Sequence, residues 1–206
     1  MAGLREKQKA RRRELIEKAA GALFVEKGFD DTTIEEIAER AVVSPATVYN
    51  YYGSKGELLL ALVARGEVGI AEKIRDFMKQ AQTEDPASLV TAVIMSNVED
   101  TLSALSRELW GHVVAFIATT PDPEVAPKYL NTIADGLARA IEHVIAHFVA
   151  AGVFRPDTDS RYVAYLLTRI ERIQFLNFVY LKGFSLEALR EAIGRDVAFI
   201  LQGLRV

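Results

Sequence analysis

The sequence predicts an all-α protein of about nine helices, and three observations carry that expectation. Apolar residues recur at spacings of three and four, as in Leu186, Leu189, Ile193, Val197, Ile200 and Leu204 near the C-terminus. Hydroxyl side chains stand where helix starts need them, at Thr33, Ser44, Ser54 and Ser185, each able to accept from an otherwise orphaned amide. Glycines and prolines mark the stops, at Gly28, Pro86, Gly152 and Gly183, and no segment reads as a strand.

The first helix is expected from about Arg5 to Lys27, with Leu15, Ala19, Ala22, Leu23 and Phe24 inward. Thr33-Ile34-Glu35-Glu36 is a capping box that opens the second: the hydroxyl caps the amides and the glutamate reaches back. Ser44-Pro45 opens the third, with proline where no amide hydrogen is needed. Ser54-Lys55-Gly56-Glu57 is a third capping box, and the fourth helix is expected to run unbroken from Lys55 to about Gln80. Thr83-Glu84-Asp85-Pro86 is the first clear break. Helices five to seven are expected at about 86–102, 107–118 and 124–150, the eighth at about 160–181 and the ninth, capped by Ser185, to about Leu204.

Residues 31–58 are the most informative stretch. Ile34, Ile37, Ala38, Ala41 and Val43 form one apolar stripe, which Val48 and Tyr52 continue on the next helix. Pro45, Ala46, Thr47, Tyr49, Asn50 and Tyr51 are left on the other side. A helix this short builds no core of its own. The pair is a helix-turn-helix whose second member can enter a major groove with its N-terminal end forward.

The net charge of −3 argues against a nucleic-acid partner until its distribution is considered. Residues 1–13 hold six basic side chains, Arg11 and Arg12 among them, against Glu6 alone, a local charge of +5. That arm is a phosphate-binding footprint. Half the residues are apolar and 26% are charged, as in a soluble globular protein. Cysteine is absent, which excludes disulfides, thiolate nucleophiles and thiolate metal sites. His143 and His147 share a helix face but lack the glutamate of a zinc-protease helix, so neither a metal nor any other cofactor is expected. The first residues contain no apolar secretory core, uncharged runs are shorter than a membrane helix requires, and the expected location is the cytoplasm.

Residues 11–62 resemble the N-terminal domain of the TetR family of one-component transcriptional regulators. The resemblance rests on Ala20, Phe24, Gly28, Thr32, Thr33, Ile37, Ala38, Ala41, Val43, Ser44, Thr47, Tyr49, Tyr51, Lys55 and Leu58, in order and without gaps. It covers about a quarter of the chain and implies residues 1–58 as a DNA-binding domain with a basic arm. Residues 59–206 would then be a helical ligand-binding and dimerisation domain. Thr47 and Asn50 can bond base edges, and Ala46 can lie against a thymine methyl. Tyr49 can reach a phosphate or stack its ring in the groove, and the family pattern implies that it contacts DNA. Thr33 and Lys55 are expected on phosphates, with Ser44, Pro45 and Tyr51 in the same DNA-facing set. Two departures stand out. Where the family often has glycine, this chain has Val42, so the turn either keeps a negative φ or is strained. Where it often has phenylalanine, Tyr52 brings a hydroxyl that needs a partner if the ring is buried.

Farther along, Trp110, His112 and Phe116 lie on the sixth predicted helix, and Arg169, Glu171, Arg172, Gln174 and Asn177 on the eighth. Polar groups amid apolar ones suit a small-molecule pocket, but they equally suit a buried ion network or a dimer surface. Trp110, Phe116, Gln174 and Asn177 are the candidate ligand contacts. Ile173, Phe175, Leu176, Phe178, Val179 and Tyr180, with the stripe of the ninth helix, are expected to form a homodimer interface from the last two helices. The expected function is a ligand-responsive repressor, not an enzyme, released from a palindromic DNA operator by a small molecule. The alternative is an all-helical small-molecule-binding or enzymatic module with a vestigial DNA domain.

Overall fold

The computed structural model describes residues 2–65, 70–81, 84–121 and 124–206, and every regular element in them is helical. Ten helices follow in order: α1 (Ala2–Lys27), α2 (Ile34–Arg40), α3 (Pro45–Tyr52), α4 (Lys55–Arg65), α5 (Ile70–Gln80), α6 (Pro86–Ala104), α7 (Arg107–Thr119), α8 (Val125–Ala150), α9 (Ser160–Tyr180) and α10 (Leu186–Gln202). The helix expected over 55–80 corresponds to α4 and α5, and its continuity through 66–69 lies outside the described residues. The basic arm is helical from Ala2, so its arginines ride on α1 instead of on a free tail.

The chain forms two compact units. The first comprises Met1–Gly66 with Ala104–Tyr129, and the second Glu67–Ser103 with Leu130–Val206. In the first, Ile16, Ala20, Leu23 and Phe24 of α1 close over Ile34 and Ile37 of α2, Val48 of α3, Leu58 and Leu59 of α4, and Val113 of α7, all buried. Ile16 takes the inward position expected of Leu15, which is 44% exposed. Each of the buried Ile, Leu, Val and Phe side chains contributes about 1.5–3 kcal/mol by leaving water. Gly56 gives α7 its closest approach to α4: a Cβ there would meet the Phe116 ring at 2.3 Å.

The second unit buries Leu89, Val93 and Ile94 of α6, Leu137, Ile141 and Phe148 of α8, and Val163 and Leu167 of α9. The Arg155 amide bonds the Leu204 carbonyl at 2.9 Å, tying the C-terminus to the turn after α8. Here the structure corrects the stripe on the last helix. Leu189, Ile193 and Val197 are at most 1% exposed in the single chain, and Phe175 and Phe178 of α9 are buried as well. These residues are core and are not available to a partner. Apolar periodicity shows that a helix has one dry face; it does not say whose surface dries it. The large apolar side chains that do face outward are Tyr162, Tyr165, Ile173 and Tyr180 on α9 and Leu186, at the head of the stripe, and Phe199 on α10.

Candidate nucleic-acid interface

The α2–α3 pair is set by its caps. The Thr33 hydroxyl accepts from the Glu36 amide at 3.2 Å, and the Glu36 carboxylate accepts from the Thr33 amide at 3.0 Å. Lys27 also reaches that carboxylate. The ammonium, and then the Thr33 amide, pull the Glu36 carboxyl down to about 2. Arg40 clamps Glu26 of α1 through two parallel bonds of 2.8 Å, so α2 is held to α1 at both ends. The Ser44 hydroxyl caps α3 by accepting from the Thr47 amide at 3.2 Å. The third box is only half present. The Ser54 hydroxyl accepts from the Glu57 amide, but the Ser54 amide goes to the Tyr52 carbonyl and the Glu57 carboxylate lies beside Gly53 instead.

The turn between α2 and α3 is a Schellman motif: the Val43 amide bonds the Ala38 carbonyl and the Val42 amide the Glu39 carbonyl. The motif requires a left-handed residue, and Val42 supplies it with φ +56°, the one such non-glycine among the described residues. The strained alternative is therefore the one adopted. The side chain is 90% exposed, so the cost lies in the backbone alone. Val42→Gly is expected to raise stability by about 1 kcal/mol, less the entropy glycine gains on unfolding. The shift in thermal midpoint of the two proteins measures it; an unchanged or lower midpoint counts against the strain.

Behind α3, Tyr52 is 1% exposed and finds the partner its hydroxyl needs: it donates to Glu17 Oε1 at 2.7 Å. Glu17 is itself buried in α1, and Arg13 pairs with it at 3.3 Å. Burial, and then the bond to Glu17, hold the phenol well above its usual range. This Arg13–Glu17–Tyr52 chain fixes the back of α3 to α1. Tyr52→Phe removes one of the bonds to a buried carboxylate and is expected to cost about 1–3 kcal/mol in a denaturant melt. A loss below about half a kcal/mol would mean that water or Arg13 replaces the hydroxyl without penalty.

With its back fixed, α3 presents Pro45, Ala46, Tyr49 and Asn50 to solvent, while Thr47 and Tyr51 are half-exposed. The Thr47 hydroxyl lies 2.9 Å from that of Ser44. Arg11 and Arg12 are exposed on α1, and Thr33 and Ser44 are exposed at the starts of α2 and α3. Lys55 is placed differently from a free phosphate ligand. Its ammonium donates to the carbonyls of Phe29 (2.6 Å), Asp30 (3.2 Å) and Thr32 (2.8 Å) and lies 4.5 Å from the Phe29 ring centre. In this arrangement its three donors staple α4 to the turn after α1, and phosphate contact requires that it swing out. The His112 ring of α7 also packs on Phe29, tilted by 31° with ring centres 4.8 Å apart.

The candidate ligand contacts are divided between the two units. Trp110 is buried and Phe116 abuts Gly56, both in the first unit. In the second unit, Gln174 donates to Asp196 of α10 at 2.7 Å and Asn177 donates to Gln174 at 3.3 Å. That polar chain joins α9 to α10. No sequence signal marked Glu17 or the Lys55 staple, because a charged residue on a helix shows no preference for a partner dozens of positions away.

Two short helices joined by a tight turn, the first packed as a brace and the second held from behind with a bare outer face, define a helix-turn-helix DNA-binding protein. Residues 16–62 match the family model described as bacterial regulatory proteins, tetR family. Residues 16–62 are thus those of the DNA-binding region of the TetR family of transcriptional regulators, and over most of its length the chain is similar to a member of that family. It is 36% identical over 92 residues to the HTH-type transcriptional regulator BetI of Brucella canis, and this covers 45% of each protein. The match thus spans less than half the length of that relative. An uncharacterised HTH-type regulator of Haemophilus influenzae is 29% identical over 161 residues, 73% of this chain and 74% of that one. Among solved structures, Thermus thermophilus FadR, a TetR-family repressor in complex with lauroyl-CoA, superposes with a TM-score of 0.74 at 26% identity, covering 94% of this chain and 95% of that one.

Proposed function

We propose that the protein is a homodimeric repressor that holds a near-palindromic operator through α3 of each copy and leaves it when a small molecule binds. The carrying observation is the bare face of α3: Ala46, Tyr49 and Asn50 are exposed on a helix whose back is fixed by Val48 and Tyr52. The DNA-reading part is residues 1–58, with Arg11, Arg12, Thr33, Ser44 and Lys55 on phosphates and Pro45, Ala46, Thr47, Tyr49, Asn50 and Tyr51 in the groove. Residues 59–206 carry the effector site and the dimer contact. The lauroyl-CoA complex of Thermus FadR supports an effector site in this fold. Its regulator relatives set aside the enzymatic alternative. The exposed tyrosines of α9, with Ile173 and Phe199, support a partner copy on α9 and α10. No helix among the described residues is long and apolar enough to cross a membrane, and a cytoplasmic regulator needs none.

A ligand releases DNA only through unequal affinity for the bound and free conformations. Gel shifts with the DNA upstream of the gene test the reading. Asn50→Ala and Thr47→Ala are expected to change the preferred sequence in a randomised-site selection, by roughly 1–3 kcal/mol per lost base contact. An unchanged consensus in both would move sequence reading to Tyr49, Ala46 or α1.

A further inference from the structure

Every described side chain of α1 from Gly3 to Leu15 is exposed, and Ile16 is the first of the helix to enter the core. Roughly three and a half turns therefore stand outside the packed helices. Helix α3 meets them near its own end. The Tyr51 hydroxyl donates to the Lys9 carbonyl at 3.5 Å, and the Arg13 guanidinium lies 5.8 Å from the Tyr52 ring centre. The charges of the segment oppose a free helix. Like charges stand one turn apart at Arg5 and Lys9, at Lys7 and Arg11, and at Lys9 and Arg13. The first turn has no acidic residue, although the helix dipole favours one there. Among the described residues no ion pair engages Arg5, Lys7, Lys9, Arg11 or Arg12. A helix this short and this uniformly charged is marginal in water. A row of phosphates beside it removes the repulsion.

At 3.6 residues per turn, Arg5 and Lys9 continue the line of Arg12, while Lys7 lies across the helix from them. The step from Arg5 to Lys9 rises about 6 Å, close to two phosphate steps of one strand. A helix is about 10 Å across, and the minor groove is about 6 Å wide. In the proposed complex α3 fills the major groove of the half-site. While α1 stays helical, its free turns therefore lie on backbone and not in a groove. Tyr51 and Tyr52 place α1 at the trailing end of α3, so those turns pass beyond the half-site. We propose that the first turns of α1 are a second DNA-contacting element, in which Arg5 and Lys9 hold the phosphates flanking each half-site and the phosphates in turn hold the helix. This rests on reading the chain as an operator-binding regulator and reaches beyond the contacts of Arg11 and Arg12. Contacts of this kind add affinity without sequence preference.

The full-length protein is titrated with two duplexes carrying the consensus from randomised-site selection. One is cut at the outer edges of the half-sites; the other has a further helical turn of arbitrary sequence at each end. The longer duplex is expected to bind about tenfold or more tighter. Its slope of log affinity against log salt should be steeper by roughly three to four, from two more phosphates per copy. Arg5→Gln with Lys9→Gln should abolish both differences and leave the short duplex and the selected consensus as they were. Lys7→Gln removes a charge from the opposite face and should preserve both differences. Hydrogen exchange of the amides between residues 3 and 12 should slow about tenfold on the long duplex, since bound phosphates oppose fraying. Equal affinity of the parent for the two duplexes overturns the flanking contact. A loss with Lys7→Gln as large as with Arg5→Gln, or a consensus that shifts in the double variant, overturns a helical contact to backbone alone. If the parent selects no sequence, the regulator reading fails. Exchange of residues 3–12 on a random duplex at about 50 mM salt then still decides whether these turns hold phosphates.

Discussion

Ile193→Glu is expected to unfold the second unit, whereas Ile173→Glu with Phe199→Glu leaves it folded and separates the dimer. Ile193 is 1% exposed within its own chain, so a glutamate there must bury a charge with no partner. The cost is expected to exceed about 4 kcal/mol, a large share of the 5–15 kcal/mol that holds a typical domain together. Ile173 and Phe199 are 60% and 81% exposed, and charges there cost the monomer about half a kcal/mol or less. Sedimentation should show the double variant as a monomer with the parent's circular dichroism. Its operator binding should collapse, because one recognition helix alone holds DNA poorly. A double variant that remains dimeric would move the interface off the outer faces of α9 and α10. An Ile193→Glu protein with the parent's melting curve would contradict the buried position of that side chain.

Operator affinity is expected to fall roughly a thousandfold between about 50 and 200 mM salt. Two copies of Arg11, Arg12 and Lys55 would neutralise about six phosphates, and each adds about −0.9 to the slope of log affinity against log salt. The overall charge of −3 does not oppose this, since the field that matters is the one along α1. Lys55→Ala discriminates its two roles. As a phosphate ligand, its loss lowers the slope by about one per copy for every sequence tested. As the staple seen on the Phe29, Asp30 and Thr32 carbonyls, its loss lowers the melting temperature and leaves the slope alone. A parent slope near zero would remove the phosphate contacts altogether.

The DNA-reading half was legible because its determinants are local. A cap and the amide it serves are three residues apart, as at Thr33–Glu36 and Ser44–Thr47, so sequence order already states the bond. An eight-residue helix with two buried positions leaves its other face by subtraction. The strain at Val42 was legible as a choice between two conformations, and the motif resolved it. What stayed hidden depends on distant partners. Glu17 reads as one more charge on a charged helix until Tyr52, 35 positions on, is placed against it. The dry stripe of α10 reads the same whether a partner or its own core covers it. Gln174 and Asn177 looked like ligand groups for the same reason: nothing near them in the sequence announces Asp196.

The first unit is assembled from two stretches of chain, with residues 67–103 of the other unit made between them. Val113 and Leu109 of α7 are buried in it, and the Phe116 ring covers Gly56. On the ribosome, α1 to α4 therefore emerge with one apolar flank uncovered, and they wait for α7 before that flank closes. Synthesis proceeds at about 5–20 residues per second, so the nascent DNA-reading helices spend several seconds as an incomplete fold. A fragment ending at residue 66 reproduces that waiting state permanently. A recombinant DNA-reading fragment would need residues 104–129 supplied as well, in the same chain or as a second peptide.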